Sequence, residues 1–496
     1  MERIPGISQG EWDALPAAAR AYIVALEREV AELRGLKARV AQLEAQGSKN
    51  SANSHKPPSS DGPGKPPRTQ SERKPSGKKP GGQPGHSGST LRKSLNPDAR
   101  VRHRVDQCSG CSRDLSGRRP DSIEERQVFD LPPMRLVCTS HEAEIKHCPD
   151  CGRVNCAAWP EMLAAEPGVA IYGPELRAFC VYLTAGQLLP YERASDLVED
   201  LFGQKVSAGS LTAWTQKASS ALAGTERLIA DALANDPGSV HFDETGCRTD
   251  GKNRWLHSAS NQKLTHFGFH SKRGTEAIEE IGILPRFTGT AIHDRWSPYF
   301  QYENCAHGLC GAHLQRDLRF VAEQEDESWA KSMKTCLLDM NDAVNTARQR
   351  GKTRFNSPTI AYWEGKYGRI LKAGMRLHAE KNRIDGSVAI AGRRGRKKQR
   401  VGKNLLDALD QRREWVLLFL KDFTVPFTNN QGERDIRMTK VKIKVSGCFR
   451  SENGARHFCR IRGYLSTARK QGWSLLEAIK SVFLGAPLRP AFTASG

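Results

Sequence analysis

Ser239-Val-His-Phe-Asp-Glu-Thr-Gly246 reads as an apolar strand that ends on an acid, Asp243. A carboxylate in that position projects into a site while its backbone stays fixed. Its neighbour Glu244 faces the other way, because adjacent strand residues alternate between the two sides of a sheet. Downstream, residues 253–260 and 264–270 read as two more short strands. Residues 275–281 follow a helical period, and 288–293 are apolar and β-rich. The order strand, strand, strand, helix, strand is compatible with a mixed sheet flanked by helices.

The last of these strands also ends on an acid, Asp294, in Thr290-Ala-Ile-His-Asp-Arg-Trp-Ser-Pro-Tyr299. A third candidate is Glu433, in Thr428-Asn-Asn-Gln-Gly-Glu-Arg-Asp435. Asn429 or Asn430 is expected to cap a helix there, with Glu433, Arg437 and Lys440 on one face. Moving a phosphodiester means managing charge on both the attacking and the leaving oxygen. Two divalent ions roughly 3.5–4 Å apart do so when a few carboxylates fix them. Magnesium, or manganese in its place, takes oxygen ligands and keeps waters, so three acids suffice. A metal ligand beside two cations makes sense if a phosphate lies across them. Spacing alone does not select these acids, since most Asp and Glu are solvated surface charges.

The 496-residue chain holds 76 Lys and Arg against 55 Asp and Glu, a formal charge of +21. Such an excess bears on partners rather than fold, and nucleic acid is the leading one. A membrane is the weaker rival, because no apolar run approaches the roughly 20 residues of a spanning helix. The start of the chain does not resemble a secretory signal, and the expected compartment is the cytoplasm. Without export, 13 cysteines partly arranged in Cys-x-x-Cys pairs favour metal thiolates over disulfides. Cys108 and Cys111, with Cys148 and Cys151, are expected to close a structural zinc site. The 36 residues between the pairs must hold a hairpin or loop. Cys138, His141, His147 and Cys156 are substitutes or bystanders. A second cluster, Cys305-Ala-His307-Gly-Leu-Cys310-Gly-Ala-His313, suits zinc less well, because strand alternation separates Cys310 from Cys305 and His307. His313 and Arg316, one helical turn apart, read instead as a phosphate-facing pair.

Residues 20–46 are charged and helix-forming, with apolar positions from Ile23 to Leu43 at gaps of three and four, which suits a short self-associating coiled coil. From Ser48 to Arg104 the chain carries 13 Lys or Arg, three acids and almost no large apolar side chain. Such a segment should be a disordered basic tether. Residues 190–222 resemble a helix-turn-helix, turning at Gly203 and capped near Ser207, although Trp214 suits a core better than a base contact. Residues 326–424 read as helical, broken by a basic loop. The Lys381–Lys403 tract holds nine Lys or Arg and one acid, centred on Arg393, Arg394, Arg396, Lys397 and Lys398. Arg434–Lys470 holds eleven against two, including Arg437, Lys440, Arg450, Arg469 and Lys470. Both tracts are expected to contact phosphates.

Several stretches are specific enough to carry a family resemblance: Lys56-Pro-Pro-Ser-Ser-Asp-Gly62, His241-Phe-Asp-Glu-Thr245, His307-Gly-Leu-Cys-Gly-Ala-His313 with Arg316, and Val425-Pro-Phe-Thr-Asn-Asn-Gln-Gly-Glu-Arg-Asp435. Ser446-Gly-Cys-Phe-Arg-Ser451 and Thr467-Ala-Arg-Lys-Gln-Gly472 add to them. Over nearly its full length the chain resembles transposases of the insertion-sequence-66 family, bacterial enzymes with a DDE-type triad on a ribonuclease-H-like fold. The resemblance implies that Asp243, Asp294 and Glu433 are the triad. It also implies a helical insertion within the 138 residues between the last two.

The expected architecture is multidomain α+β: a coiled-coil helix (1–47), a disordered basic linker (48–104), a zinc module (105–160) and a helical DNA-binding region (161–235). A ribonuclease-H-like α/β core follows in two parts (236–325 and 425–496), separated by the helical insertion (326–424). The expected activity is metal-dependent cleavage of an element's terminal inverted repeats and their joining to target DNA. Synapsis of two ends implies a dimer or higher assembly, and related elements encode accessory proteins. A structure-selective nuclease on the same fold and a non-enzymatic zinc-containing DNA binder are the alternatives.

Overall fold

A computed structural model describes residues 9–47, 85, 88, 90–164, 168, 170–385 and 400–491. The Lys56–Gly62 stretch and the arginines and lysines at 393–398 lie outside the described residues. Two compact units are present. Of the described residues, one takes in 9–47, 158–164, 168, 170–198, 205–385 and 400–491, and the other 85, 88 and 90–157 with 199–204. Among the described residues no helix is long and apolar enough to cross a membrane.

The larger unit is a mixed α+β structure around one five-stranded sheet. Its strands are β3 (Ser239–Thr249), β4 (Lys252–Ser260), β5 (Thr265–His270), β6 (Thr290–His293) and β7 (Ala306–Leu309), following a short pair, β1 (Ile145–His147) and β2 (Val154–Cys156), in the smaller unit. The sheet order is β5-β4-β3-β6-β7. The first three strands are antiparallel, and β6 and β7 run parallel to β3.

Sequence and structure part at β3. The strand does not stop at Asp243 but runs six residues further, to Thr249. Asp250 and Gly251 then turn the chain, both with positive φ (49° and 69°). A two-residue Asp-Gly turn of that hand matches the strand twist and sets up the long β3–β4 hairpin. The parallel pairs with β6 end at His241↔Ile292, while antiparallel pairing with β4 continues to Thr249↔Lys252. Asp243 therefore sits where β3 parts from β6.

Alternation along β3 feeds two cores. Val240 and Phe242 pack with Ile278, Ile283 and Phe287. Cys247 packs with Leu256, Phe267, Ile436 and Phe458. The Glu452–Lys470 helix lies close on β5 because Gly463 has no side chain; a Cβ there would sit 3.2 Å from the Thr265 carbonyl. Thr467 secures that approach by accepting the Thr265 N–H at 3.0 Å.

Between Asp294 and Glu433 the chain is mainly helical, including Gly311–Gln324, Ser328–Gln349, Ser357–Asp385 and Val401–Gln411. Trp329, Met333, Leu337, Met340, Tyr367 and Leu406 form its core. Upstream, the Tyr191–Phe202 and Ala208–Ala221 helices flank Gly203, whose φ is +68°. Ser207 caps the second helix by accepting from Ser210 N at 3.0 Å. Trp214 is buried edge-on against Tyr172, so it is a core residue. The Ala17–Gly47 helix exposes Leu26, Val30, Leu33, Leu36 and Val40.

In the smaller unit both Cys-x-x-Cys pairs sit in turns of one design. Cys108 N donates to Arg113 O and Ser112 N to Cys108 O. Cys148 N donates to Arg153 O and Gly152 N to Cys148 O, all at 2.9 Å. Ser112 and Gly152 close the turns with positive φ. The second turn joins β1 to β2, and a bridge between Gln107 and Asp114 flanks the first. No residue from 90 to 157 is fully buried among those described.

Candidate active site

The parallel β3–β6 register pairs Ser239 with Thr290 and His241 with Ile292. Carried two residues past its last pair, that register sets Asp243 level with Asp294, and the Asp294 charge reaches the Asp243 carboxyl. Asp294 is fixed by its own turn, its Oδ1 accepting from Trp296 N at 3.0 Å. Arg295 between them adopts φ +75° and pairs with Asp317.

Glu433 comes from elsewhere in the chain, and Asn429 brings it in. Asn429 is buried and lies within hydrogen-bonding distance of three residues. Its Oδ1 meets His241 Nδ1 at 2.7 Å, its Nδ2 donates to Phe242 O at 2.8 Å, and its backbone N–H donates to Cys310 Sγ at 3.1 Å. The Asn430–Ser446 helix starts directly after it, with Glu433 in the first turn. Asn429 occupies the N-cap position, but its side chain makes no capping bond and reaches to β3 instead. Two glycines permit the fit: a Cβ on Gly432 would lie 2.9 Å from Asn429 Oδ1, and one on Gly311 would strike the Phe427 ring at 2.3 Å.

Burial raises the Asp243 carboxyl well above its ordinary range. The charges of Glu244, Asp294 and Glu433 push it the same way, and Lys440 opposes them. Four carboxylates thus share one electrostatic neighbourhood. Glu244 turns to the other face of the sheet, as alternation requires. There it accepts from Arg273 Nε at 2.9 Å and Nη2 at 2.6 Å, and from the Tyr299 hydroxyl. Arg273 lies over both Trp255 and Trp296, 5.0 Å and 4.1 Å from the ring centres. Burial and Asp294 raise the Glu244 carboxyl, while Tyr299 and Arg273 hold it down.

His313 and Arg316 come together as expected, but they are turned onto Glu433, at 3.8 Å and 3.5 Å, with side chains only 12% and 16% exposed. The expected phosphate-facing role gives way to contact with the third acid. The second cysteine cluster is split in the way alternation requires. His307 bonds to His293 at 3.0 Å and to Tyr302 O at 3.2 Å, Cys305 donates to Tyr302 O, and Cys310 joins His313 and Glu433. The chain of bonds fixes the tautomers: Arg295 N–H occupies His293 Nδ1, so His293 donates from Nε2 to His307 Nδ1, and His307 donates from Nε2.

Lys470 departs most from expectation. Its ammonium donates to Asn261 O at 2.8 Å, Leu264 O at 3.1 Å and Asp435 Oδ2 at 2.7 Å. With three donors engaged and a side chain only 14% exposed, it holds the protein together rather than a phosphate. Arg437, Lys440, Arg450 and Arg469 are exposed.

The potential ligand clusters among the described residues are Cys310–His313–Glu433 and Glu325–Glu327–His378. Cys108, Cys111, Cys148 and Cys151 fall in neither. Sequence reading missed the second cluster, where Glu327 accepts from His378 at 3.0 Å, Lys381 at 2.8 Å and Trp329. Burial opposes ionisation there, but these donors bring the Glu327 carboxyl down to about 2. These donors already occupy the carboxylate, which fits a structural knot. Gly402 is required beside it, since a Cβ would lie 2.6 Å from both carboxylates.

Residues 12–92 match a family of unknown function. No curated protein matches the chain. The Transposase IS66 family matches residues 170–457, more than half of the chain, spanning all five strands of the sheet and all three acids. The chain belongs to the IS66 family of DDE transposases, DNA-cutting and strand-transfer enzymes that use divalent metal ions.

Proposed function

We propose that Asp243, Asp294 and Glu433 are the acids of the DDE triad and hold two magnesium or manganese ions for end cleavage and strand transfer. The observation that carries this is the Asn429 side chain, which ties the strand of Asp243 to the start of the Glu433 helix, with the Asp243 carboxyl raised by burial and by the charges of both other acids in support. Burying like charges side by side is costly without a counterion, and hard cations with oxygen ligands supply one. Once bound, the metals would activate the attacking hydroxyl and stabilise the leaving oxygen.

The chain's own residues do the rest. β3 and β6 would present two of the acids, and Asn429, bonded to β3 and directly preceding the Glu433 helix, would hold the third toward them. Arg437 and Lys440, exposed on the Glu433 helix, would neutralise the scissile phosphate, with Arg450 and Arg469 contacting flanking DNA. Residues 393–398 would add phosphate contacts of the same kind. The sheet order, three antiparallel strands followed by two parallel, supports a ribonuclease-H-like core. The helices between Asp294 and Glu433 then make up its insertion.

In the smaller unit, Cys108, Cys111, Cys148 and Cys151 would close on a structural zinc ion. Two turns of one design support this, and so does the lack of any core in 90–157, since such a small unit needs a staple. The exposed apolar stripe of the Ala17–Gly47 helix supports self-association, as pairing two DNA ends requires. Accessory proteins of the same element would complete the assembly.

The test is magnesium-dependent cleavage of a labelled element end by the wild type, Asp243→Asn and Glu433→Gln. Both variants should lose cleavage and joining while keeping DNA binding. Wild-type activity in Glu433→Gln would remove the third ligand.

A further inference from the structure

Cys310, His313 and Glu433 each offer a ligand atom, and the three atoms lie within 4.8 Å of one another. They come from two helix starts. Cys310 is the N-cap of the Gly311–Gln324 helix and His313 lies in its first turn, while Glu433 lies in the first turn of the Asn430–Ser446 helix. The set differs in kind from Asp243 and Asp294, which offer oxygen alone. Sulfur and imidazole nitrogen select zinc and its soft relatives over magnesium. Three protein ligands with a fourth position open is also an ordinary zinc arrangement. Asn429 N–H donates to the Cys310 sulfur at 3.1 Å and fixes its position beside the other two ligands; the buried thiol releases its proton to solvent when a soft cation takes the proton's place. The approach is close because Gly311 leaves room for Phe427.

From this juxtaposition we infer that the enzyme carries an inhibitory soft-metal site, in which Cys310, His313 and Glu433 bind zinc(II) or cadmium(II) and withdraw Glu433 from the catalytic pair. The inhibitory consequence rests on Glu433 being the third catalytic acid, whereas the binding site does not. Arg316 touches the same Glu433 oxygen at 3.5 Å and must swing aside when the ion enters. Soft-metal occupancy and magnesium-dependent catalysis therefore exclude each other.

Cadmium(II) titration of the full-length protein, read by ultraviolet thiolate-to-cadmium charge transfer, tests the site directly. The smaller unit's cysteines contribute equally in every variant, so the comparison is by difference. Wild type should bind one more thiolate-ligated ion than Cys310→Ser or Glu433→Gln. Read against its own rate in magnesium alone, the half-inhibiting zinc concentration of Cys310→Ser should rise at least about tenfold. Equal cadmium stoichiometry in wild type and both variants overturns the site, and so does equal zinc sensitivity of wild type and Cys310→Ser. Should Cys310→Ser misfold, the stoichiometry of Glu433→Gln decides alone. An active Glu433→Gln enzyme would instead overturn the catalytic assignment, leaving the cadmium counts to stand or fall separately.

Discussion

Asn429 and His241, 188 positions apart in the chain, meet side chain to side chain at 2.7 Å in a buried contact. Asn429 also donates to the carbonyl of Phe242, the residue directly before Asp243. One amide thus couples the strand bearing the first acid to the helix bearing the third. Asn429→Ala should lower the unfolding free energy by about 2–4 kcal/mol, because it strands buried polar groups on β3. It should also raise the magnesium concentration needed for half-maximal cleavage, because Glu433 loses its anchor. Denaturant unfolding beside a magnesium titration of end cleavage checks both, and an unchanged magnesium requirement would reduce Asn429 to a packing residue.

Much of this site can be read from sequence because it depends on local pattern. The apolar run into Asp294 marks the end of β6, the run into Asp243 marks where β3 parts from β6, and Ser207 marks a helix start in the way capping chemistry demands. Other features have no local signature. Residues 244–249 include Gly246 and exposed Arg248, which obscured the continuation of β3; its cause, the Asp250–Gly251 turn, lies beyond the apolar run. Asn429 looks like a cap in sequence, and only its long-range partners show it to be a bolt. Lys470 resembles every other cation of its tract until Asp435 and two carbonyls are found around it.

The Glu244–Arg273 pair should make stability depend on pH once broken. Arg273→Ala leaves a buried carboxylate whose affinity for a proton is already raised in the folded state. An acid with a raised folded pKa is tolerated while protonated, and that tolerance is lost as pH rises through the folded value. The variant should therefore lose little at pH 4 and about 1–3 kcal/mol at neutral pH, with Arg273's partial exposure softening the loss. Urea denaturation at several pH values checks this, and a penalty greater at low pH would contradict it.

Acid sensitivity of the intact protein should instead come from buried histidines. Burial lowers His241, His257 and His266 to about 4 each. Between about 6.5 and 4 the unfolded chain then binds more protons than the folded one, so stability falls as pH drops through that window. Glu327, lowered to about 2, makes a contribution that begins to fade below the ordinary carboxylate range and is lost only on approaching pH 2. Unfolding free energy measured from pH 7 to 4 should decline, and Glu327→Gln should not flatten the decline between 6.5 and 5. A flat profile would mean that these histidines are accessible to protons in the folded state.

Metal removal should act on the smaller unit. With no buried core in 90–157, a chelator that strips zinc should open that unit to protease while 170–385 and 400–491 stay resistant. About one zinc per chain should be released, and Cys148→Ser should reproduce the protease pattern without chelator. Protection unaffected by chelation would show that the two turns need no ion.

The cations of the C-terminal helices should separate into two kinds. Arg437 and Lys440 are exposed on the helix that bears Glu433, whereas Lys470 gives all three donors to Asn261, Leu264 and Asp435. A phosphate contact releases counterions, so its loss should lower the slope of log affinity against log salt by about 1. Arg437→Ala and Lys440→Ala should each show that reduction and keep wild-type thermal stability. Lys470→Ala should do the reverse, holding the slope while lowering Tm, because Asp435 and two carbonyls lose their donor. Salt-dependent binding to a fixed duplex, measured beside thermal melts, distinguishes the two behaviours. A reduced slope for Lys470→Ala at unchanged Tm would mean that its amine leaves these internal partners when DNA arrives.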